Sequence, residues 1–283
     1  MTRIKTPLLA LVLLLLPAVA LADVADAADD DDDASLAWQL RPVTNRNLAR
    51  IASAAAAFND GNGNLDLAIA TTWTGTYRLS DAWAPMVRLG LVGNNAPGAA
   101  LDGSAFANPL VGATYTRRLG RSHRLALFGA ATLPVGTGNA RTHAASMTAL
   151  PSDRAMFDVD AMAAIAGVDV AYVRRGFTAQ AEATLVQSVR VRGPAMATAT
   201  RTRAAVGAHL GYLVGWHVAV GADLHYEDTL TAAVGVRMQF RVGKDTWIRP
   251  GLAYLRGLDR RGLDAPLLTA HTTAVQFDLP MTF

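Results

Sequence analysis

The chain has 283 residues, of which 51% are hydrophobic and 17% charged, with no cysteine and a formal net charge of +3. The lack of cysteine excludes disulfides and thiolate metal or redox chemistry. The arginines do not gather into one stripe with interleaved aromatics, which argues against a nucleic-acid partner.

At the N-terminus Arg3 and Lys5 precede the apolar run 8–16, and Ala20-Leu21-Ala22 places small residues at the cleavage positions. Residues 1–22 therefore read as a signal peptide; the run is short for a membrane anchor and ends beside Pro17. The mature chain then begins near Asp23. Asp23, Asp26 and the run 29–33 make 23–34 an acidic leader, read as solvated and disordered rather than as a calcium-binding or partner-docking tail. From Ala34 onward 24 arginines and lysines face 16 acidic residues, a net +8 carried almost wholly by arginine.

Beyond the leader the dominant signal is alternation with a period of two, the pattern of a strand with unlike faces. In 65–79, Leu65, Leu67, Ile69, Trp73, Tyr77 and Leu79 share one face, while Asp66, Thr72, Thr74, Thr76 and Arg78 share the other. Twelve segments are predicted as strands: 35–43, 64–79, 83–92, 109–118, 124–135, 157–173, 177–192, 201–214, 216–227, 230–242, 247–256 and 272–283. The alanine-rich stretch 47–58 reads instead as a short helix in the first long loop, folded into the barrel mouth. Segment 157–173 changes phase, which predicts a bulge near Gly167. Residues 204–222 carry no charge, and Gly207, Gly211 and Gly215 have the spacing of a helix-dimer motif. The alternation of Val206, Ala208, Leu210, Tyr212 and Val214 favours a hairpin there.

Short connections at 80–82, 119–123, 174–176, 215 and 243–246 alternate with longer ones at 44–63, 93–108, 136–156, 193–200 and 257–271; only 227–229 departs. The fold class that follows is all-β: a single antiparallel transmembrane β-barrel of about 12 strands over 35–283, with short periplasmic turns and long extracellular loops, in a Gram-negative outer membrane. Tyr77, Trp83, Tyr115, Tyr172, Phe177, Tyr212, Trp216, Phe240 and Trp247 fall beside the short turns and predict a girdle at one membrane interface. A soluble barrel with its apolar parity inward would leave that girdle unexplained.

At the C-terminus Val275, Phe277, Leu279, Met281 and Phe283 alternate with Gln276, Asp278, Pro280 and Thr282. Pro280 departs from the pattern by removing a ladder donor. This ending resembles the terminal strand of outer-membrane barrels, which implies Phe283 as an assembly signal, with the barrel-assembly machinery and outer-membrane lipid as partners.

With the apolar parity facing lipid, the other parity lines the lumen. That assigns Asp66, Arg78, Arg88, Glu182, Arg190, Arg192, Arg203, His209, His217, Asp223, His225, Arg237 and Arg241 to the interior. Guanidinium groups there attract anions and can bind carboxylate or phosphate in pairs. Equally, the arginines can pair with Glu182, Asp223 and Asp66 and fill the interior; both readings stay open. His209, His217 and His225 read as hydrogen-bonding lumen residues rather than metal ligands, and 60–64 as a glycine-rich turn rather than a calcium loop. There is no G-x-S-x-G elbow and no H-E-x-x-H helix. Ser188, Asp223 and His225 share the lumen parity, but no catalytic residue, cofactor or enzyme activity is expected.

Residues 108–139, NPLVGATYTRRLGRSHRLALFGAATLPVGTGN, place a strand, a short turn and a second strand before the Pro-x-Gly element of Leu133-Pro134-Val135-Gly136. This is similar to outer-membrane proteins grouped as transporters of the phenol-degradation meta pathway, and the resemblance implies passage of small, often aromatic or hydrophobic compounds. The expected function is passive diffusion of small solutes, anionic by the lumen charge or aromatic by the resemblance. The alternative is a plugged barrel with a structural or surface-interaction role, marked by opposite charges pairing across the lumen. A hydrolase comes third and would need a close nucleophile-base pair.

Overall fold

A sheet whose strands each carry an apolar face leaves unpaired backbone at its two edges until it closes on itself. The computed structural model describes residues 35–41, 46–59, 65–95, 103–138, 149–193, 199–258 and 273–283. The signal segment, the acidic leader and the turn at 60–64 lie outside the described residues. In chain order the wall strands are β1 (Leu48–Asn59), β2 (Leu65–Thr76), β3 (Trp83–Asn95), β5 (Leu110–Arg118), β6 (His123–Thr132), β7 (Ala161–Arg174), β8 (Phe177–Arg190), β9 (Thr200–Val214), β10 (Val218–Tyr226), β11 (Leu230–Met238), β14 (Gly251–Gly257) and β15 (Thr273–Thr282). Each pairs antiparallel with the next, and β15 returns to β1 along ten residue pairs, so the barrel closes with 12 strands.

Three short strands decorate this wall. β4 (Gly103–Phe106) extends the edge of β3, while β12 (Phe240–Val242) and β13 (Thr246–Ile248) form a hairpin that prolongs β11 and β14 at the short-turn end. The tightest turn joins β7 to β8 through Arg175 and Gly176, both left-handed at φ +49° and +76°. Two positive-φ central residues give a hairpin turn whose twist matches its strands. Pro280 sits within β15, and its carbonyl accepts the Arg249 N–H at 2.9 Å.

The face assignment follows side-chain size and polarity. Leu67 and Ile69 are 43% and 44% exposed on the outer wall, whereas Ala68 and Ala70 between them are fully buried. Residues 204–222 form the β9–β10 hairpin, paired from Val214–Val218 inward. Among the described residues no helix is long and apolar enough to cross a membrane.

Three expectations are corrected. Residues 35–41 are not the first strand; they hold no strand and lie inside the barrel. The first strand is Leu48–Asn59, in the stretch expected to be helical. Its alanines have helical propensity, but a helix there would leave the facing ladders of β2 and β15 unpaired. As a strand it pairs with both over most of its length. The bulge near Gly167 is also absent, since β7 keeps an unbroken register against β6 and β8. The apparent phase change arises because Ala161, Ala163 and Ile165 point inward against an apolar insert, which locally inverts the rule that apolar residues face out.

Candidate functional site

The site is the lumen, and two segments occupy it. Residues 35–41 enter at the short-turn end, near Thr178 and Gly211, and reach mid-barrel. No ladder holds them. The Asp223 carboxylate accepts the backbone N–H of Trp38 at 2.7 Å and of Gln39 at 3.1 Å. Ser35 N–H donates to Thr178 Oγ1 at 3.1 Å, and the Gln180 amide donates to the Arg41 carbonyl at 2.5 Å. Arg50 on β1 donates to the carbonyls of Ala37 and Trp38, and Arg237 to that of Ala37.

Side chains seat the same segment. The Arg237 guanidinium lies 3.7 Å over the Trp38 ring, and the Arg41 guanidinium 3.8 Å over Phe128. The wall is hollowed to receive them. A Cβ added to Gly211 would collide with Ser35, and one on Gly207 with Leu40; one on Gly235 or Gly251 would come 2.5 Å from the Trp38 ring. Gly207 and Gly211, two of the three glycines at helix-dimer spacing, thus form a groove on the lumen face of β9, while Gly215 takes the left-handed turn after it.

The second insert comes from the long-loop end. Residues 149–160 carry a 3-10 turn (Pro151–Asp153) and one helical turn, α1 (Arg154–Phe157). Leu150, Met156, Phe157 and Val159 are buried, the first three in one cluster with Trp38, Ala54, Ala56, Met86, Val92, Phe128 and Ile165. Asp153 pairs with Arg88 on β3 at 2.5 Å, and Arg154 with Asp228 at 3.0 Å. Asn108 pins the base of this loop. It accepts the Gly136 N–H at 2.9 Å and donates to the carbonyls of Asp158 and Ala161, so Asn108 and the Pro-x-Gly element meet.

Of the residues assigned to the lumen, Arg88, Glu182, Arg203, His209, Asp223, His225 and Arg237 line it. Glu182 pairs with Arg41 at 2.8 Å, and Arg203 with Glu227 at 3.2 Å. Arg237 and Arg50 share the Asp278 carboxylate. Both ring nitrogens of His225 are buried without a partner among the described residues. Asp66 falls within β2. Arg190 sits half-buried at the long-loop end of β8; the Arg192 guanidinium ties the carbonyls of Gly136 and Val159 together at that rim.

Three assignments are corrected, because strand parity was extended past the strand ends. Arg78 lies beyond β2 and pairs with Asp81 in an exposed turn. Arg241 sits on the exposed β12–β13 hairpin, bonded to the Lys244 carbonyl. His217 is in the β9–β10 turn, exposed, beside the Gln239 carbonyl. The aromatics all fall at the short-turn end, where Trp83 meets Tyr115 in a tilted arrangement with centroids 5.2 Å apart and Tyr172 lies 6.3 Å from Phe177. Trp216 is 79% exposed there, and Phe240 and Trp247 are carried on the β12–β13 hairpin.

Sequence reasoning missed Ser35, Arg41, Arg50, Asp153, Glu227 and Asp278 as lumen groups. Asp278 was legible, since it alternates with the outward Phe277 and Leu279. The others lie on segments whose conformation was read differently or beyond strand ends. Ser35, His209 and Asp223 also form a chain: Ser35 Oγ is 3.0 Å from His209 Nε2, and His209 Nδ1 meets Asp223 Oδ1. Facing a carboxylate, Nδ1 carries the ring proton. The order is that of a nucleophile, base and orienting acid. The Ser35 N–H also donates to Thr178, and the other Asp223 oxygen accepts the Trp38 and Gln39 N–H groups, so the chain ties residues 35–39 to β8, β9 and β10.

No protein-family model matches the chain, and no curated protein matches its sequence. Among solved structures, the NanC porin matches 83% of this chain and 98% of its own at 8% identity, with a TM-score of 0.50. The translocator domain of autotransporter NalP from Neisseria meningitidis covers 84% of this chain and 87% of its own at 11% identity and a TM-score of 0.48. The KdgM porin covers 83% and 99% at 7% identity and a TM-score of 0.44. The NanC likeness extends to the fold, a porin-like barrel.

Proposed function

We propose that this chain is an outer-membrane channel for small solutes, held closed by residues 35–41. Short turns would face the periplasm and the long loops the exterior. The observation that carries the reading is how the segment is held: side-chain and cation–π contacts fix it, and no ladder does. Individual bonds of this kind are worth about 1–3 kcal/mol each. Because no ladder of the wall includes the segment, its departure would break no strand pairing. The sequence resemblance of residues 108–139 to transporters of the meta pathway, which no matching family model supports, would imply small aromatic solutes, and the lumen arginines would favour anionic ones.

A second reading is a permanently plugged barrel with a structural or surface-interaction role. It is favoured by the pairing of Arg41, Arg88, Arg203 and Arg237 with Glu182, Asp153, Glu227 and Asp278. A cysteine pair separates the two, because the native chain has none. Ser35→Cys with Thr178→Cys should lock the segment when oxidised, giving silent bilayers, and give channel steps when reduced. Equal conductance in both states would remove the segment as the gate. Silence in both, from a heat-modifiable folded barrel, would establish the plugged role.

A further inference from the structure

The lumen is not filled completely. A cavity of about 40 Å³ remains between residues 39–41 and the wall of β1, β2, β3 and β5, in the short-turn half of the barrel. At roughly 10–15 Å³ per water-sized occupant it holds about three waters or one small ion. Arg41, Arg50 and Arg88 line it, with Thr74, Thr76, Thr114 and Thr116, and no carboxylate is among its lining residues.

The carboxylate partners of the three guanidiniums, Glu182, Asp278 and Asp153, are not among the residues that line the cavity. Arg41 binds Glu182 through one terminal nitrogen, while its Nε–H is buried with no acceptor among the described residues. Arg50 uses Nε for Asp278 and one terminal nitrogen for the plug carbonyls. Arg88 uses Nε for Thr74 and its terminal nitrogens for Asp153. A guanidinium has five N–H donors in a fixed fork that suits a planar or tetrahedral oxyanion.

We propose that this cavity is a binding site for one small oxyanion, a carboxylate or phosphate, and that residues 35–41 complete it by contributing Arg41. The closing segment is then part of a site as well as an obstruction, and the Arg88–Asp153 pair ties that site to the long-loop insert. The inference rests on reading the lumen as a solute path, but it is read out by binding rather than conduction.

The test is calorimetric titration of the full mature chain, refolded in detergent and in low-salt zwitterionic buffer, with acetate and separately with phosphate. Saturable binding of one ion per chain is expected for at least one of the two, and the better ligand identifies the anion class. Arg41→Gln should weaken it at least tenfold. Thr74→Val with Thr114→Val, which alters no charge, should weaken it several-fold in a barrel that still shows heat-modifiable mobility. No saturable binding of either anion by the wild-type chain, or affinity unchanged in both variants, would overturn the site. Redox-gated conductance from the cysteine pair would in that case still stand, so the two readings fail separately.

Discussion

Residues 35–41 and β1 are neighbours in sequence and opposites in support. β1 is held by two complete ladders, to β2 and β15, and needs little from its side chains; Ala52, Ala54 and Ala56 face the lumen and the strand persists. Residues 35–41 have no ladder and depend wholly on side chains: Asp223, Arg50, Arg237 and the glycine groove that admits Trp38 and Leu40. In a closed barrel, backbone pairing makes the wall and side-chain chemistry decides what fills it.

The sharpest way to break that contrast is Asp278→Ala. Its carboxylate bridges Arg50 on β1 and Arg237 on β11, which both hold the plug backbone. Removing it leaves two buried guanidiniums unpaired, a loss of about 3–5 kcal/mol. Urea unfolding of the detergent-refolded barrel should show it, together with increased bilayer conductance. Trp38→Ala should cost about 3 kcal/mol of packing while leaving the wall intact. Protease cleavage within 35–41 should rise, with tryptophan burial elsewhere unchanged.

A smaller effect tests β1 itself. Ala54→Leu, on the lumen face, should overpack the core by about 1–3 kcal/mol; Ala55→Leu, one residue on and facing outward, should be neutral. A helix at this position would not separate adjacent residues so cleanly, so equal shifts in unfolding midpoint would undo the assignment. The smallest effect lies at the long-loop rim, at Glu227. Burial raises its carboxyl above the ordinary 4.5, against the pull of Arg203 and Arg154. The folded chain thus keeps this proton to higher pH than the unfolded one. The contribution is full below the ordinary value and is lost as pH rises through the raised one. Glu227→Gln should flatten that acid-side slope in the unfolding midpoint.

By itself the sequence determined the barrel. Period-two alternation set which residues of β2, β8, β9 and β11 face outward, because successive side chains of a strand point to opposite faces of the wall, and the short turns followed from where alternation broke. His209, Asp223, Arg203 and Arg237 were placed on the lumen face for the same reason. Alternation reports only which face a residue takes, so it carried no information past strand ends, where Arg78 and Arg241 turn outward. Nor could it show that alanines at 52–57 would be drawn into a strand by two waiting ladders, or that 35–41 would be taken inside. Those outcomes depend on contacts such as Trp38 against Gly235 and Gly251, more than 190 residues away along the chain. Only closure of the barrel brings them together.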